Sequence, residues 1–353
     1  MRSGARAGSP AAAVPASDTV PGLVTVAIPA RNESASIRRV LDAVLSQTYP
    51  DLQIVVVDGA SEDDTAAIVA DVARSDPRVE LVANPERVIP RAMNLALAQA
   101  RGEWFVRVDA HCRIDDDYVE RVVDHLGSGQ WAGVGGRKDG VGRTSQGRAI
   151  AAVMGSPFGQ GNSVYHYGTD PQTVDHIPFG AYPTALVRDL GGWNEDQLVN
   201  EDFEFDYRVR RSGGELLFDP AIRIDWDCRQ SVPALFRQYR RYGAGKVQTL
   251  VRHPESVGLR HLAAPVVVGA LAGSLPLLAA RRTRPLGAAA LAGYGALVAV
   301  ASMRTGTDLA PRDRRWVPAA FVALHLGWGV GFWEEIVSTA VGRGGPRRSL
   351  EAS

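Results

Sequence analysis

Asp58 closes the apolar run QIVVVD, and Asp109 closes WFVRVD with His111 two residues beyond. A carboxylate and an imidazole at i and i+2 on an extended end face the same ligand, because strand side chains alternate. The two can share one divalent metal, or divide a metal and a ribose hydroxyl between them. Further along, NEDFEFD (Asn200–Asp206) carries four carboxylates in seven residues. Their mutual repulsion raises at least one pKa, which suits a general base. Taken singly, Asp-x-His is more often a hydrogen-bonded turn and an acidic run a solvated helix start. Their occurrence in one chain is what calls for a chemical reading.

The surrounding pattern supplies the elements that hold these groups. LVTVAI (Leu23–Ile28), QIVVVD (Gln53–Asp58), VELVA (Val79–Ala83) and WFVRVD (Trp104–Asp109) are apolar runs of strand length. Between them, residues 36–46, a segment through Ile68, Val69 and Val72, and residues 91–100 show helical spacing. The alternation predicts an α/β fold with a doubly wound, mostly parallel sheet. In such sheets ligands bind beyond the carboxyl ends of the strands. Polar segments gather at that edge: Pro29–Glu33, Asp58–Asp63 and Asp109–His111. No GxGxxG follows Ile28 and no GxxxxGK[ST] occurs, which argues against a Rossmann dehydrogenase or a P-loop enzyme. An acidic edge takes a pyrophosphate only through a divalent cation.

The 353 residues carry 39 Lys+Arg against 39 Asp+Glu, a balance that argues against a nucleic-acid partner. With two cysteines, Cys112 and Cys228, neither a disulfide framework nor a cysteine zinc site is expected. Lys138 and Lys246 are the only lysines, which reads as compositional bias. The neutrality is an average. Residues 263–353 are net +5 and residues 1–262 net −5. The C-terminal part holds three uncharged apolar runs, Ala263–Ala280, Pro285–Met303 and Trp316–Trp333, each near the span of a bilayer core. Arginine clusters and Trp316, Trp328 and Trp333 lie at or near their ends, as at membrane interfaces. Flanking cations number seven on one side and six on the other, so charge alone does not orient the chain. Residues 1–21 and 342–353 read as disordered tails.

Together IPARNES, VVVDGASEDDT and the strand ending in DAH resemble the inverting family-2 glycosyltransferases of the GT-A fold. Phe179–Gly214, with Glu201–Asp202, resembles the acceptor-side segment of that family, and Gln238, Arg241 and Tyr242 its Q-x-x-R-W helix. The likeness covers about residues 23–250 and is strongest to the succinoglycan-biosynthesis glucosyltransferase branch. It implies a GT-A domain over 22–250 and a membrane-associated helical region of about three spans over 251–341. It implies a nucleotide-sugar donor, a UDP-sugar, held by Pro29, Arg31, Glu33, Asp58, Asp109, Gln238, Arg241 and Tyr242. Asp109 and His111 would hold a divalent cation, Mn²⁺ or Mg²⁺, with His111 standing where many members have a second Asp. Asp202 would be the catalytic base and Glu201 its orienter or substitute. Phe179, Gly180 and Ala181 would line the sugar pocket. Arg91, His166 and His176 rank lower, as surface or structural residues. Tyr242 in place of Trp points to single addition.

The implied activity is hexosyl transfer to a polyprenyl-diphosphate-linked saccharide in exopolysaccharide or cell-wall polysaccharide synthesis. The implied location is the cell membrane, multi-pass, with the catalytic domain facing the cytoplasm. The rival readings are a polyprenyl-phosphate sugar transferase and a catalytically silent membrane scaffold.

Overall fold

Every residue of Leu52–Asp58 is buried, as a strand covered on both faces requires. In the computed structural model, which describes residues 19–341, this segment is β2. It lies between β1 (Val20–Ala30) and β3 (Val79–Ala83), and β4 (Gly102–Arg107) flanks β1, all four running parallel. The connecting helices are α1 (Ile37–Leu45), α2 (Thr65–Ser75) and α3 (Ile89–Gln99). Side chains alternate across β1. Val26 and Ile28 pack in one core with Ile37, Leu41 and Val69, whereas Ala27 packs in a second with Met93 and Ala96 of α3.

The second half of the domain is mixed. It comprises β5 (Cys112–Ile114), α4 (Tyr118–Gly127), β6 (Gly133–Val141), α5 (Ser145–Met154) and α6 (Pro157–Gln160). Then follow β7 (Gln172–Val174), β8 (Ala181–Pro183), α7 (Thr184–Asp189), α8 (Glu201–Arg211), β9 (Leu216–Asp227) and α9 (Val232–Arg252). β8 inserts antiparallel between β4 and β6, β9 runs parallel to β6, and β5 and β7 pair antiparallel with β9.

Two expectations need correction. Residues 1–18 of the expected N-terminal tail, and the tail 342–353, lie outside the described residues. Residues 20–21 are not tail, because Val20 donates to Arg101 O at 2.8 Å and Gly22 to Glu103 Oε2 at 2.8 Å, drawing them into β1. The second concerns Asp109 and His111, which do not alternate on a strand. β4 stops at Arg107 and the chain turns at Ala110–His111, with Cys112 N–H donating to Asp109 O at 3.2 Å.

Beyond α9 lie α10 (Leu259–Ala279), α11 (Arg284–Arg304), α12 (Pro311–Arg314) and α13 (Val317–Ala340). Three stretches, Leu259–Ala279, Arg284–Arg304 and Pro311–Ala340, are long and apolar enough to cross a membrane. Only 11% and 17% of the first two apolar windows are buried in the protein, against 50% of the third. The third helix is therefore the one docked on the α/β domain, and its partner is α9. Glycines let the two backbones touch: a Cβ added at Gly331 would lie 1.8 Å from Arg240 O, and one at Gly243 2.1 Å from Trp328 O. Close approach through small residues is how helices associate where apolar surface gives no driving force. A second tie is the ion pair from Arg148 of α5 to the buried Asp313 of α12, at 2.6 Å.

Gly331→Val forces α9 from α13 and is expected to destabilise the chain by about 1–3 kcal/mol. The thermal midpoint of the detergent-solubilised protein reads this; an unchanged midpoint would contradict the backbone contact.

Candidate active site

Arg107 ends β4 with its side chain 7% exposed, and its guanidinium joins two carboxylates. Nε donates to Asp109 Oδ1 at 2.8 Å and a terminal nitrogen to Glu201 Oε1 at 3.0 Å. Burial works against its charge, but Asp109, Glu201 and Asp202 outweigh burial and hold the guanidinium protonated far above neutrality. Glu201 opens α8, and Asn200 before it adopts the left-handed φ of +58°, which asparagine tolerates better than most residues. That turn directs the start of α8 onto the end of β4.

The four carboxylates of Asn200–Asp206 separate into distinct surroundings. Burial first, and the Asp202 charge next, push Glu201 up to about 7 despite Arg107. Burial also pushes Asp202 up, but His176, Arg107, the Phe203 N–H and Lys138 together hold it below the usual carboxylate range. Glu204 binds Arg208 at 2.9 Å and faces His253 at 3.2 Å. Asp206 is fully buried, accepting from Tyr182 Oη and facing His176 Nδ1, each at 2.6 Å. The opposite ring nitrogen of His176 lies 3.8 Å from Asp202 Oδ2. His176 thus bridges a buried carboxylate and an open one, and these carboxylates outweigh burial and raise its pKa. Asp202, a third exposed, is the member of the run that is both ionised and open.

Around Asp109 the bonding is asymmetric. Its Oδ1 is taken by Arg107, whereas Oδ2 accepts nothing among the described residues. His111 has both ring nitrogens engaged: Nδ1 faces Glu33 Oε1 at 3.1 Å and Nε2 accepts from the Trp226 indole at 3.0 Å. As placed, Asp109 has an oxygen to offer a hard cation, and His111 would join only by giving up Trp226. Among the described residues no three His, Cys, Asp or Glu side chains are arranged to hold a metal by themselves. Lys138 sits over the rings of Trp226 (4.2 Å) and Phe179 (4.8 Å). Burial lowers its pKa, with Asp109 and Asp202 opposing that shift.

A cavity of about 630 Å³ gathers Arg107, Asp109, His111, Lys138, Glu201 and Asp202. Gln238, Arg241 and Tyr242 enter from α9, Gln238 donating to Tyr242 Oη at 3.0 Å. The cavity continues past Ala264 and Val267 of α10, Leu297 of α11 and Leu324 of α13.

Other expected site residues lie apart from this cavity. Pro29, Arg31, Glu33 and Asp58 stand at the ends of β1 and β2 without lining it. Both oxygens of Glu33 have protein partners, Ser36 at 2.7 Å and His111, so it positions His111. Asp58 Oδ2 accepts from Ser61 N, but the buried Oδ1 has no partner, as a site for a ligand N–H requires. Of the expected sugar-pocket residues Phe179 lines the cavity, whereas Gly180 and Ala181 do not, because Ala181 is taken up in β8. Arg91 pairs with Glu86 and Glu195. His166 lines the cavity, and burial with Lys138 pushes it down to about 3.

Arg107, Lys138 and Lys246, which no sequence motif singles out, and His176, which ranked low among the candidates, also line the cavity. One signal was present: in a chain that otherwise uses arginine, both lysines line this cavity.

The description Glycosyl transferase family 2 matches residues 25–189. The chain is 30% identical over 322 residues to the succinoglycan biosynthesis protein ExoA of Rhizobium meliloti, covering 88% of this chain and 94% of that protein. It is 23% identical over 233 residues to a dolichyl N-acetyl-α-D-glucosaminyl phosphate 3-β-D-2,3-diacetamido-2,3-dideoxy-β-D-glucuronosyltransferase of Methanococcus voltae, 63% of this chain and 72% of that one. Among solved structures, the mannosyltransferase PcManGT from Pyrobaculum calidifontis, in complex with GDP-Man and Mn²⁺, aligns at TM-score 0.55 and 21% identity over 86% of each chain. That likeness shows the shared fold.

Arg107→Met strands the buried Glu201 and the half-buried Asp109 and is expected to cost about 3–5 kcal/mol, part of which Glu201→Gln restores in the double variant. Thermal melts of the three variants test this; no rescue would contradict the bridge. The folded chain holds a proton on Glu201 up to about 7, whereas its ordinary value is 4.5. Between those values stability therefore falls as pH rises, and Glu201→Gln should flatten the decline. A variant with the wild-type slope would contradict the raised pKa.

Proposed function

Because the chain belongs to the family-2 glycosyltransferases, we propose that it is an inverting hexosyltransferase acting on a lipid-linked acceptor. The donor is a nucleotide-sugar, a UDP-sugar, and the acceptor a polyprenyl-diphosphate-linked saccharide of exopolysaccharide or cell-wall polysaccharide synthesis. The catalytic domain faces the cytoplasm, with GT-A residues 22–250 followed by membrane helices within 251–341. One observation carries this reading: the cavity holding Asp109 and Asp202 runs on between α10, α11 and α13. Sugar chemistry and an apolar acceptor tail then share one space. The names of the relatives, which include succinoglycan biosynthesis and a dolichyl-linked sugar, support the same class.

The roles follow from the surroundings of each group. The orphaned Asp58 Oδ1 accepts from the nucleotide base at the end of β2. Asp109, through the Oδ2 that Arg107 leaves free, would hold a divalent cation, Mn²⁺ or Mg²⁺, for the donor diphosphate. Such a cation neutralises charge that develops on the leaving diphosphate. Arg241 is exposed at the cavity and makes no ion pair among the described residues, so it is available to that same charge. Inversion requires a base opposite the leaving group. Asp202 meets the need: it is ionised, open to the cavity and braced by His176. Glu201, raised and tied to Arg107, orients the start of α8.

Asp202→Asn is expected to lower transfer from the true donor to membrane lipid extract by about 10²–10⁴-fold, read as nucleoside diphosphate release. Turnover within threefold of wild type would remove Asp202 from the role of base. EDTA treatment should abolish transfer and Mn²⁺ restore it; full metal-free activity would contradict a cation at Asp109.

A further inference from the structure

Lys246 is a buried amine without an ion-pair partner among the described residues. It lies in α9, is 2% exposed, and forms no ion pair within 4.0 Å among the described residues. Its single hydrogen bond is a long one of 3.4 Å to Ser256 O, and its ammonium sits 3.6 Å from the centre of the Phe203 ring. Phe203 directly follows Asp202, so this side chain packs against the residue next to the proposed base. The neighbouring Arg260 is already committed, to Asp175 at 2.5 Å, Asn162 at 2.9 Å and His261 at 3.1 Å. Burial pushes the Lys246 ammonium down to about 7, a desolvation that the protein alone does not repay. The cavity that Lys246 lines also holds Arg260 and His261 and, on its apolar side, Ala263, Ala264 and Val267 of α10 and Trp328 of α13. α10 itself is barely buried in the protein and is long and apolar enough to cross a membrane.

Resting on the lipid-linked acceptor reading above, we propose that Lys246 is the anion subsite for the acceptor's phosphate headgroup, with the isoprenoid chain leaving past Val267 and Trp328. An unpaired buried amine, a ring beneath it and an apolar exit together fit one ligand: a phosphate or diphosphate ester of a long prenol. The site also separates the two anions of the reaction. The donor diphosphate belongs with Asp109 and Arg241, and the acceptor phosphate with Lys246. An exposed arginine can serve the first, whereas the second is buried under an aromatic ring, where a compact ammonium fits.

The test uses the full chain in nanodiscs, with UDP filling the donor site and radiolabelled farnesyl diphosphate as probe. Wild type should bind saturably, and Lys246→Met should bind about tenfold or more weakly, the scale of a lost charge-assisted contact. Its direct affinity for UDP should stay within about twofold of wild type, which reports an intact fold. A second variant, Val267→Trp, narrows the exit. It should weaken farnesyl diphosphate binding and leave competition by inorganic pyrophosphate unchanged. Wild-type affinity in Lys246→Met would overturn the subsite. Pyrophosphate competing as well as farnesyl diphosphate, with Val267→Trp silent, would make it a site for free phosphate and overturn the lipid assignment. If wild type binds UDP and glycosylates a soluble saccharide but does not bind farnesyl diphosphate, the lipid-acceptor reading itself fails.

Discussion

The buried guanidinium of Arg107 holds the site together. It joins the loop after β4 to the first residue of α8, bonding Asp109 at 2.8 Å and Glu201 at 3.0 Å. A cation buried between two carboxylates is weak evidence of net stabilisation, since its desolvation offsets much of the attraction. What it does is fix geometry. The two carboxyl groups belong to segments far apart in sequence, and the guanidinium between them is what ties one to the other. Asp202, the neighbour of Glu201, thereby takes a fixed position relative to Asp109. The proposed division into a donor side and an acceptor side rests on that one bridge.

The same charge arrangement sorts adjacent acids. Glu201 meets burial and the negative charge of Asp202, and stays protonated to about 7. Asp202 has His176 beside it, and His176 is held on its far side by Asp206 at 2.6 Å. Interacting carboxyls titrate as a pair, with the proton residing on the less favoured site. The sequence leads one to expect at least one raised pKa in this run; Glu201 and Asp206 are both raised, by burial first, with the Asp202 charge adding to it at Glu201. The proposed base is ionised because a buried Asp–His pair supports it.

The parallel half of the sheet was legible because its strands are buried on both faces and read as unbroken apolar runs. VELVA matches β3 to the residue, and QIVVVD falls short of β2 by Leu52 alone. The membrane helices were legible for the same reason, since composition alone distinguishes them. The mixed half was not: β8 is three residues long and makes sense only through its pairing with Val106 and Val134. Motif residues were visible individually, but their partners were not. Arg107 sits inside an apolar run and looks like a strand residue, and nothing local links it to Glu201 ninety-four positions away. His176 gains its importance from Asp206, and His111 is tied by Trp226, both long-range contacts. That both lysines line one cavity was not legible, because composition shows a bias without showing where its exceptions gather.

The most direct measurement is an experimental structure of the full chain with UDP and Mn²⁺, locating the cation by its anomalous scattering. The account predicts the Mn²⁺ at Asp109 Oδ2, with the diphosphate on the Arg241 side and Asp202 left open. Mn²⁺ or diphosphate lodged against Asp202 or Lys246 would reverse the two sides of the cavity and contradict it.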